Sequence, residues 1–277
     1  MFIRETIDSI IAQTYEYKEI IVIDDGSPYN LENIMRDYIE NNLICYIRQG
    51  NMKMAAARNR GMLEAQGDLI AFCDDDDLWE PTKLEKQVAL FSDLKVGIAY
   101  TWADSLIDGV FKPRPRACQY SDSNVFADLL LNKLYFVNSS VMIRKDCIKS
   151  VGLFNESPNI YGIDDTDMWL RICYYYHTAV VPEILTHVRM HHHQVSSDLI
   201  GMANRTLNMK RNICQEFDLM SVFYRECLAN HLFHKGYYLR ETDKLKSLKY
   251  YTQAFTTLPQ PKYFIAALKL ILHKILY

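Results

Sequence analysis

Four consecutive aspartates, Asp74 to Asp77, directly follow the short apolar run Leu69 to Cys73. A run of this length between polar residues predicts a strand that is covered on both faces of a sheet. Close carboxylates repel one another by roughly 3 kcal/mol per pair at about 5 Å and an effective dielectric of about 20. The fold must therefore bring a cation to this segment or leave it widely exposed to solvent.

A second acidic pair, Asp24 and Asp25, follows the largely apolar run Glu19 to Ile23 in the same way. Open α/β sheets bind ligands beyond the carboxyl ends of their strands, so we predict both acidic clusters at one edge, on neighbouring strands. Such oxygen ligands suit Mg²⁺ or Mn²⁺, which keep positions open for substrate phosphates. The alternative is that Asp77 and its neighbours cap the helix opened by Pro81, in a solvated turn.

The first half of the chain alternates between strand-like and helix-like apolar spacing. The spacing predicts strands over 19–23, 43–47 and 69–73, and helices over 2–14, 31–39, 55–65 and from Pro81 to Phe91. Such alternation predicts an α/β fold with a doubly wound, mostly parallel sheet flanked by helices. With 277 residues, 49% of them hydrophobic, the chain can bury one catalytic-size domain and an appendage.

Residues 200–277 carry helical apolar spacing, so we predict a main domain over 1–199 and a helical C-terminal region over 200–277. In the last segment, Tyr263 to Tyr277, apolar residues alternate with lysines and a histidine. A basic amphipathic helix of this kind predicts peripheral contact with an anionic membrane surface. The alternative is an end helix that packs on the rest of the C-terminal region.

Bulk composition narrows the partners and the compartment. The formal net charge of −3 gives no global basic field, so we predict no nucleic-acid partner. Seven scattered cysteines without a C-x-x-C pair favour reduced thiols and a cytoplasmic location. Because no stretch of about 18 uncharged apolar residues occurs, we predict that any membrane contact is peripheral, at the cytoplasmic face.

Six short blocks follow one another along the first two thirds of the chain. They read SIIAQTY (9–15), EIIVIDDGS (19–27), AARNRG (56–61), GDLIAFCDDDDLWEP (67–81), VGLFNE (151–156) and DDTDMWLR (164–171). In this order they resemble the family 2 glycosyltransferases of the GT-A fold. The resemblance implies an inverting enzyme that moves a sugar from a UDP-linked nucleotide sugar donor to a saccharide or lipid-linked acceptor, in surface polysaccharide synthesis.

The same resemblance implies roles for the donor-side carboxylates. Asp25 resembles the aspartate that meets the base or ribose of the donor, with Asp24 beside it. Asp74 resembles the first carboxylate of the family's D-x-D element, and Asp76 resembles its metal ligand. The implied cofactor is Mn²⁺ or Mg²⁺, because a divalent ion neutralises the charge that develops on the departing nucleoside diphosphate.

Two further residues take roles from the resemblance, each with an alternative. Arg58 resembles the arginine that closes over the nucleotide; otherwise it is a surface helix arginine that is paired with Glu64 or has no partner. Asp165 resembles the catalytic base, which an acceptor hydroxyl needs because it is a poor nucleophile until its proton is removed. The alternative for Asp165 is a helix-capping or dipole-stabilised aspartate.

The segment His187 to His193 resembles the late arginine-x-histidine element of the family. It implies that Arg189 contacts the diphosphate and that His191 binds the metal. For the triplet His191 to His193, a polar loop is the competing interpretation.

One departure from the family pattern sets the alternative function. Family members begin with an apolar strand ahead of the first helix, whereas this sequence begins inside that helix, so a central strand is predicted to be missing. The alternative is therefore a truncated or degenerate, catalytically inert module that binds a sugar nucleotide or a glycan. The joint presence of Asp25, Asp76 and Asp165 favours the enzyme.

Overall fold

The computed structural model describes residues 2–114, 125–191 and 199–275. These residues form two compact units. The first unit contains Met1–Phe126, Leu134–Ser157 and Asp164–Gln194, and the second contains Ala127–Lys133, Pro158–Ile163 and Val195–Tyr277. The second unit thus includes two short segments from within the predicted main domain, and the predicted boundary between 199 and 200 stays a prediction.

Strands and helices alternate through the first unit. Its strands are β1 (Ile21–Asp25), β2 (Cys45–Gln49), β3 (Leu69–Ala71), β4 (Leu78–Trp79), β5 (Val96–Ile107), β6 (Val110–Pro113), β7 (Val141–Arg144) and β8 (His177–Arg189). Its helices are α1 (Ile3–Ile11), α2 (Leu31–Ile34), α3 (Arg36–Glu40), α4 (Met54–Glu64), α5 (Lys83–Leu90), α7 (Cys147–Val151) and α8 (Asp164–Tyr175). Each strand and helix predicted in the first half is present, except that the helix predicted over 31–39 is divided into α2 and α3. Most of the strand ends are shifted by about two residues.

The strands of the first unit form two sheets. Strands β1 and β2 pair in parallel, and a second sheet runs β3-β7-β5-β8-β4 with β6 on β5. In the second sheet only β5 and β8 are parallel; its other pairs are antiparallel. The α/β class is correct, but the expectation of a mostly parallel sheet is wrong, because the sheet is mixed.

Turn geometry explains part of the mixed pairing. Between β5 and β6, Asp108 and Gly109 both have positive φ, 50° and 78°. Two such residues form the tight turn that folds a strand back antiparallel on its predecessor. Apolar runs mark where strands lie, whereas their direction depends on connections of this kind.

Two apolar clusters hold the elements around the acidic segments. Against the β1-β2 sheet, α1 and α3 bury Ile3, Ile7, Met35, Tyr38 and Ile44. Against the larger sheet, α5 packs through Leu84 and Phe91 with Trp79, Val96, Ala99 and Met142. Burying side chains of this size contributes about 1.5–3 kcal/mol each, which fixes the strand ends that carry the carboxylates.

The second unit is helical, as predicted for the C-terminal region. It contains all but the first residue of α6 (Phe126–Leu130), together with α9 (Leu199–Glu216), α10 (Arg225–Leu239), α11 (Lys244–Thr257) and α12 (Pro261–Ile275). Gly236 allows α10 and α11 to meet closely, since a Cβ there would lie 2.7 Å from the Tyr251 ring. Across the described parts of the chain, no helix combines the length and apolar character needed to cross a bilayer.

Candidate active site

The four aspartates after β3 lie in different surroundings. The Asp74 carboxylate is partly exposed and accepts hydrogen bonds from Arg58 Nη2 at 3.3 Å and Asn138 Nδ2 at 2.8 Å. Asp76 Oδ2 lies 2.8 Å from His191 Nε2. Asp77 is buried and accepts a hydrogen bond from the backbone N–H of Arg189 at 3.0 Å. The segment is therefore only partly solvated.

Asp77 does not cap the helix that follows it. Thr82 occupies the position before α5, and Asp77 Oδ1 instead bonds β8 at Arg189. Burial, followed by the negative charge of Asp74, raises the pKa of Asp77 to about 7. Burial also raises the pKa of Asp75. Burial thus disfavours full ionisation of the segment, and the solvated-cap alternative is wrong.

The end of β8 and the start of α1 meet at this segment. Arg189 donates from Nε to the Asp76 carbonyl oxygen at 3.0 Å and from Nη2 to Glu5 at 2.8 Å. The Arg189 guanidinium carbon lies 4.1 Å from the centre of the Phe2 ring, on which His191 stacks at 5.8 Å. The fold thus brings together Asp76, Arg189 and His191, three residues that the sequence predicted for one site.

Asp76 and His191 fit adjacent positions of one metal ion. Two ligands at about 2.1 Å and a right angle from an octahedral ion lie about 3 Å apart, close to the 2.8 Å found here. A Mg²⁺ or Mn²⁺ ion bound by one or two protein ligands completes its shell with water and substrate phosphates. Within residues 2–114, 125–191 and 199–275 no group of three or more such ligands occurs. His192 and His193 lie outside the described residues.

Arg58, on α4, connects the acidic segment to α8. Its Nη1 lies 2.6 Å from Asp164 Oδ2 and its Nη2 lies 3.3 Å from Asp74 Oδ1. The guanidinium is largely buried and packs over the Phe154 ring at 5.7 Å. The alternative of a surface pair with Glu64 is wrong, since Arg60 forms that ion pair at 2.7 Å. The predicted nucleotide contact of Arg58 stays a prediction.

Three aspartates occupy the first turn of α8, and their contacts differ. Asp164 pairs with Arg58, and Asp167 pairs with Arg171 at 2.9 Å. Asp165 instead accepts hydrogen bonds from the neighbouring Thr166, from its backbone N–H at 2.6 Å and its hydroxyl at 3.3 Å. Among the three, Asp165 is thus the carboxylate that is not in an ion pair, which suits a proton acceptor.

The surroundings of Asp165 also adjust its acidity. Burial raises the pKa of Asp165 to about 6, with Arg58 opposing the rise and Asp164 adding to it. A general base works best with a pKa near the operating pH, because it is then ionised and still basic. Asp165 has this property, and its role as the base remains a prediction.

At the end of β1, the two aspartates face different ways. The Asp24 side chain is fully buried and accepts hydrogen bonds from Ser27 N at 2.8 Å, Tyr46 Oη at 2.6 Å and Arg48 Nη1 at 2.7 Å. Both oxygens are therefore occupied by the β1-β2 sheet and the turn after β1. These contacts give Asp24 a structural role, and its predicted contact with the donor stays a prediction.

We expect the change Asp24→Ala to lower the free energy of unfolding by about 1–3 kcal/mol, because three donors lose their acceptor. Chemical denaturation of wild type and variant measures this difference. The matched control is Asp37→Ala, which breaks an exposed ion pair with Arg4 and should cost under about 1 kcal/mol. An unchanged stability of Asp24→Ala with weakened donor binding would instead support the donor contact.

Asp25 holds the loop that leads into α4. Its carboxylate accepts hydrogen bonds from Gln49 Nε2 at 2.8 Å, Met52 N at 2.8 Å and Lys53 N at 2.7 Å. Lys53 has φ 77°, an uncommon value for a residue with a side chain, which these bonds help to maintain. Asp25 is therefore linked to Arg58 through α4. The prediction that the two acidic clusters follow neighbouring strands is wrong, because β1 and β3 belong to different sheets.

The sequence reasoning missed the turn before β7. Ser139 Oγ accepts a hydrogen bond from Asp74 N at 2.9 Å, and Asn138 donates to the Asp74 carboxylate. Asn138 Oδ1 is buried without a hydrogen-bond partner, so it can accept a hydrogen bond from a bound hydroxyl or water. The only local signal is a polar triplet, residues 138–140, directly ahead of an apolar run. No feature of the sequence indicated that Glu5 or Phe2 would lie at this site.

Solved structures with this architecture define the fold class. S. aureus TarS 1-349 in complex with UDP-GlcNAc is 14% identical, with a TM-score of 0.66 over 93% of this chain and 78% of that one. The mannosyltransferase PcManGT of Pyrobaculum calidifontis, in complex with GDP-Man and Mn²⁺, is 15% identical, with a TM-score of 0.62 over 98% and 80%. The chain is thus a GT-A-like α/β protein with a mixed central sheet and C-terminal helices.

The sequence profile of Glycosyl transferase family 2 matches residues 2–152, more than half of the chain. The chain therefore belongs to that family, and the predicted resemblance is confirmed. An uncharacterized glycosyltransferase of Rickettsia typhi is 30% identical over 207 residues, 72% of this chain and 63% of its own length. The chain thus spans less than two thirds of that relative.

Two further relatives have names that describe an activity. The putative teichuronic acid biosynthesis glycosyltransferase TuaG of Bacillus subtilis is 27% identical over 215 residues, 76% of this chain and 83% of its own length. The UDP-Glc:alpha-D-GlcNAc-diphosphoundecaprenol beta-1,3-glucosyltransferase WfaP of Escherichia coli is 34% identical over 117 residues, 41% and 47% of the two chains.

Proposed function

We propose that this protein is an inverting glycosyltransferase that moves a sugar from a UDP-linked donor to a hydroxyl of a saccharide or lipid-linked acceptor. We further propose that the reaction serves surface polysaccharide synthesis. The name of TuaG supports the polymer class, and the name of WfaP supports a UDP-linked donor and a lipid-linked acceptor. The UDP-GlcNAc bound to TarS supports a UDP-linked donor.

The contacts of Arg58 carry this proposal. One buried guanidinium bonds both Asp74, in the acidic segment, and Asp164, beside Asp165 on α8. One buried side chain therefore links a donor-side carboxylate to the turn that carries the proposed base. Transfer needs both groups at one reaction centre, because the acceptor attacks the carbon from which the diphosphate departs.

In the proposed step, Asp165 takes the proton of the acceptor hydroxyl while its oxygen attacks the anomeric carbon. The bond between that carbon and the donor phosphate oxygen breaks, and the nucleoside diphosphate leaves on the opposite face. A single displacement of this kind inverts the anomeric carbon. Asp76 and His191 would hold Mn²⁺ or Mg²⁺, which supplies neutralisation of the diphosphate charge when bound. We propose that Arg189 adds a second positive charge there.

The test is a panel of nucleotide sugars incubated with the protein and Mn²⁺ or Mg²⁺, with release of nucleoside diphosphate as the readout. The proposal expects metal-dependent release from at least one UDP-linked sugar, faster when a saccharide or polyprenyl-linked acceptor is added. Donor binding without release or transfer would instead identify the inert binding module. The absence of donor binding under every condition would contradict both functions.

We also propose a cytoplasmic location, at the inner face of the membrane. The six cysteines within the described residues carry free thiols, which is typical of proteins in reducing compartments.

The acidity of Asp165 predicts a pH profile. A base must be ionised, and the pKa of Asp165 is raised to about 6. We therefore expect kcat/KM to rise with pH up to about 6 and then level off, falling about tenfold per pH unit below that value. Initial rates between pH 4.5 and 8 at saturating metal measure it.

The variant Arg58→Gln provides the directional control for the pH profile. Loss of this cation removes the charge that opposes the rise in pKa, so the acidic limb should move to higher pH. If the acidic limb of the kcat/KM profile does not move in Arg58→Gln, or if the wild-type profile is flat, the ionisation of Asp165 does not control the rate.

A further inference from the structure

Positive charge is concentrated at the end of the chain. Residues 244–277 contain six lysines and no aspartate or glutamate, whereas the other 243 residues contain 25 Lys and Arg against 34 Asp and Glu. The chain is therefore acidic overall but carries a local charge of +6 on the segment that forms α11 and α12. Such segregation predicts attraction to an anionic partner.

The same two helices expose a cluster of large apolar side chains. Phe264, Ile265 and Leu268 on α12 are 54%, 47% and 41% exposed, and Phe255 on α11 is 37% exposed. The rings of Phe255 and Phe264 contact each other with centres 5.8 Å apart, so the cluster continues across both helices. Exposed apolar side chains on a soluble protein are normally scattered singly. A contiguous cluster of them on a helix pair therefore indicates a binding surface.

The packing of α12 fixes which side is exposed. Tyr263 is fully buried and donates its hydroxyl to Asn230 Oδ1 on α10 at 2.8 Å. Phe264, Ile265 and Leu268 lie on the helix surface away from Tyr263, and the exposed Lys269 borders them. Lysine beside an apolar strip is the arrangement of helices that lie in a membrane interface, with apolar side chains among the lipids and ammonium groups at the phosphates.

We propose that the exposed face of α11 and α12 binds an anionic lipid bilayer. Phe255, Phe264, Ile265 and Leu268 enter the interface, and the exposed Lys249 and Lys269 interact with the anionic headgroups. The charge favours this occupant over a second copy of the chain, because two copies would bring two strongly basic segments together. This contact is peripheral and needs no membrane-spanning helix.

Sedimentation with vesicles tests the proposal directly. The full chain should bind vesicles made of phosphatidylglycerol and phosphatidylcholine in equal parts, and it should bind pure phosphatidylcholine vesicles only weakly. The bound protein should dissociate from the anionic vesicles as the salt concentration rises. The double variants Phe264→Ser with Leu268→Ser and Lys249→Glu with Lys269→Glu should each bind the anionic vesicles at least about tenfold more weakly. All four residues are exposed, so both variants should keep the wild-type Tm.

Leu94→Ser is the matched control, because Leu94 is 80% exposed but lies in the first unit. It should bind vesicles like the wild type. Equal vesicle binding by the wild type and both double variants, or equal binding to neutral and anionic vesicles, would overturn the proposal. A lipid-independent dimer that the apolar double variant abolishes would assign the face to a second copy instead. Donor hydrolysis, measured on the same samples, reports separately on the proposed function.

Discussion

Replacing Asp165 by asparagine should lower turnover by about 100- to 10,000-fold while donor affinity stays within a few-fold. The amide has nearly the same shape and can still accept the hydrogen bond from Thr166 N, but it cannot take a proton. Of the aspartates in the first turn of α8, Asp164 and Asp167 are in ion pairs with Arg58 and Arg171. The remaining carboxylate is therefore the expected base.

The experiment compares transfer rate, donor affinity and Tm for the wild type, Asp165→Asn and Asp167→Asn. The latter loses a largely buried ion pair, so we expect a lower Tm with chemistry retained in the folded fraction. Near-normal transfer by Asp165→Asn would remove Asp165 from the reaction and move the search to Asp164 and Asp167. If Asp165 only stabilised its helix, asparagine would be tolerated in both respects.

Asp76→Ala should abolish the joint stabilisation by a divalent ion and UDP. A ligand that binds only the folded protein adds about 2.7 kcal/mol at a hundredfold excess over its Kd, which appears as a higher Tm. We expect the wild type to gain this stability when Mn²⁺ or Mg²⁺ and UDP are present together. Without Asp76 the ion loses its carboxylate, and His191 loses the partner that lies 2.8 Å away.

Calorimetric melting with metal alone, UDP alone and both together measures the effect. Asp68→Ala is the control, because Asp68 is an exposed carboxylate directly ahead of β3 and should leave the joint gain intact. His191→Ala, like Asp76→Ala, should reduce the rise in Tm that metal and UDP produce together. A full joint gain in Asp76→Ala would contradict the metal site, whatever the turnover of that variant.

The sequence predicted the local elements well because their signals act over a few residues. Apolar runs of about five residues marked β1, β2 and β3, and helical spacing marked α1, α4 and α5. Strand direction was predicted less well, since it depends on how distant strands pair. Strands β3 and β7 lie about seventy residues apart and pair antiparallel, which no local pattern indicates.

The role of a carboxylate depended on partners far away in the chain. Asp24 and Asp25 look equivalent in the sequence, but Tyr46 and Arg48 on β2 bury the first, while the second holds the loop before α4. Helix spacing pairs Arg60 with Glu64, four residues on, but it does not show that Arg58 is buried against Asp74 and Asp164. Arg58 and Arg60 are two residues apart on α4, and only packing decides which of the two side chains turns inward.

By itself, the sequence determined the family, the α/β class, and the carboxylates, arginines and histidine from which a donor site can be built. Only the tertiary structure decided which of them meet: Arg58 reaches Asp164 across 106 positions, and His191 reaches Asp76 across 115. The physical reason is range. Backbone propensity and apolar spacing act within a turn or a strand, whereas ion pairs and burial depend on chain segments that meet only in the folded protein.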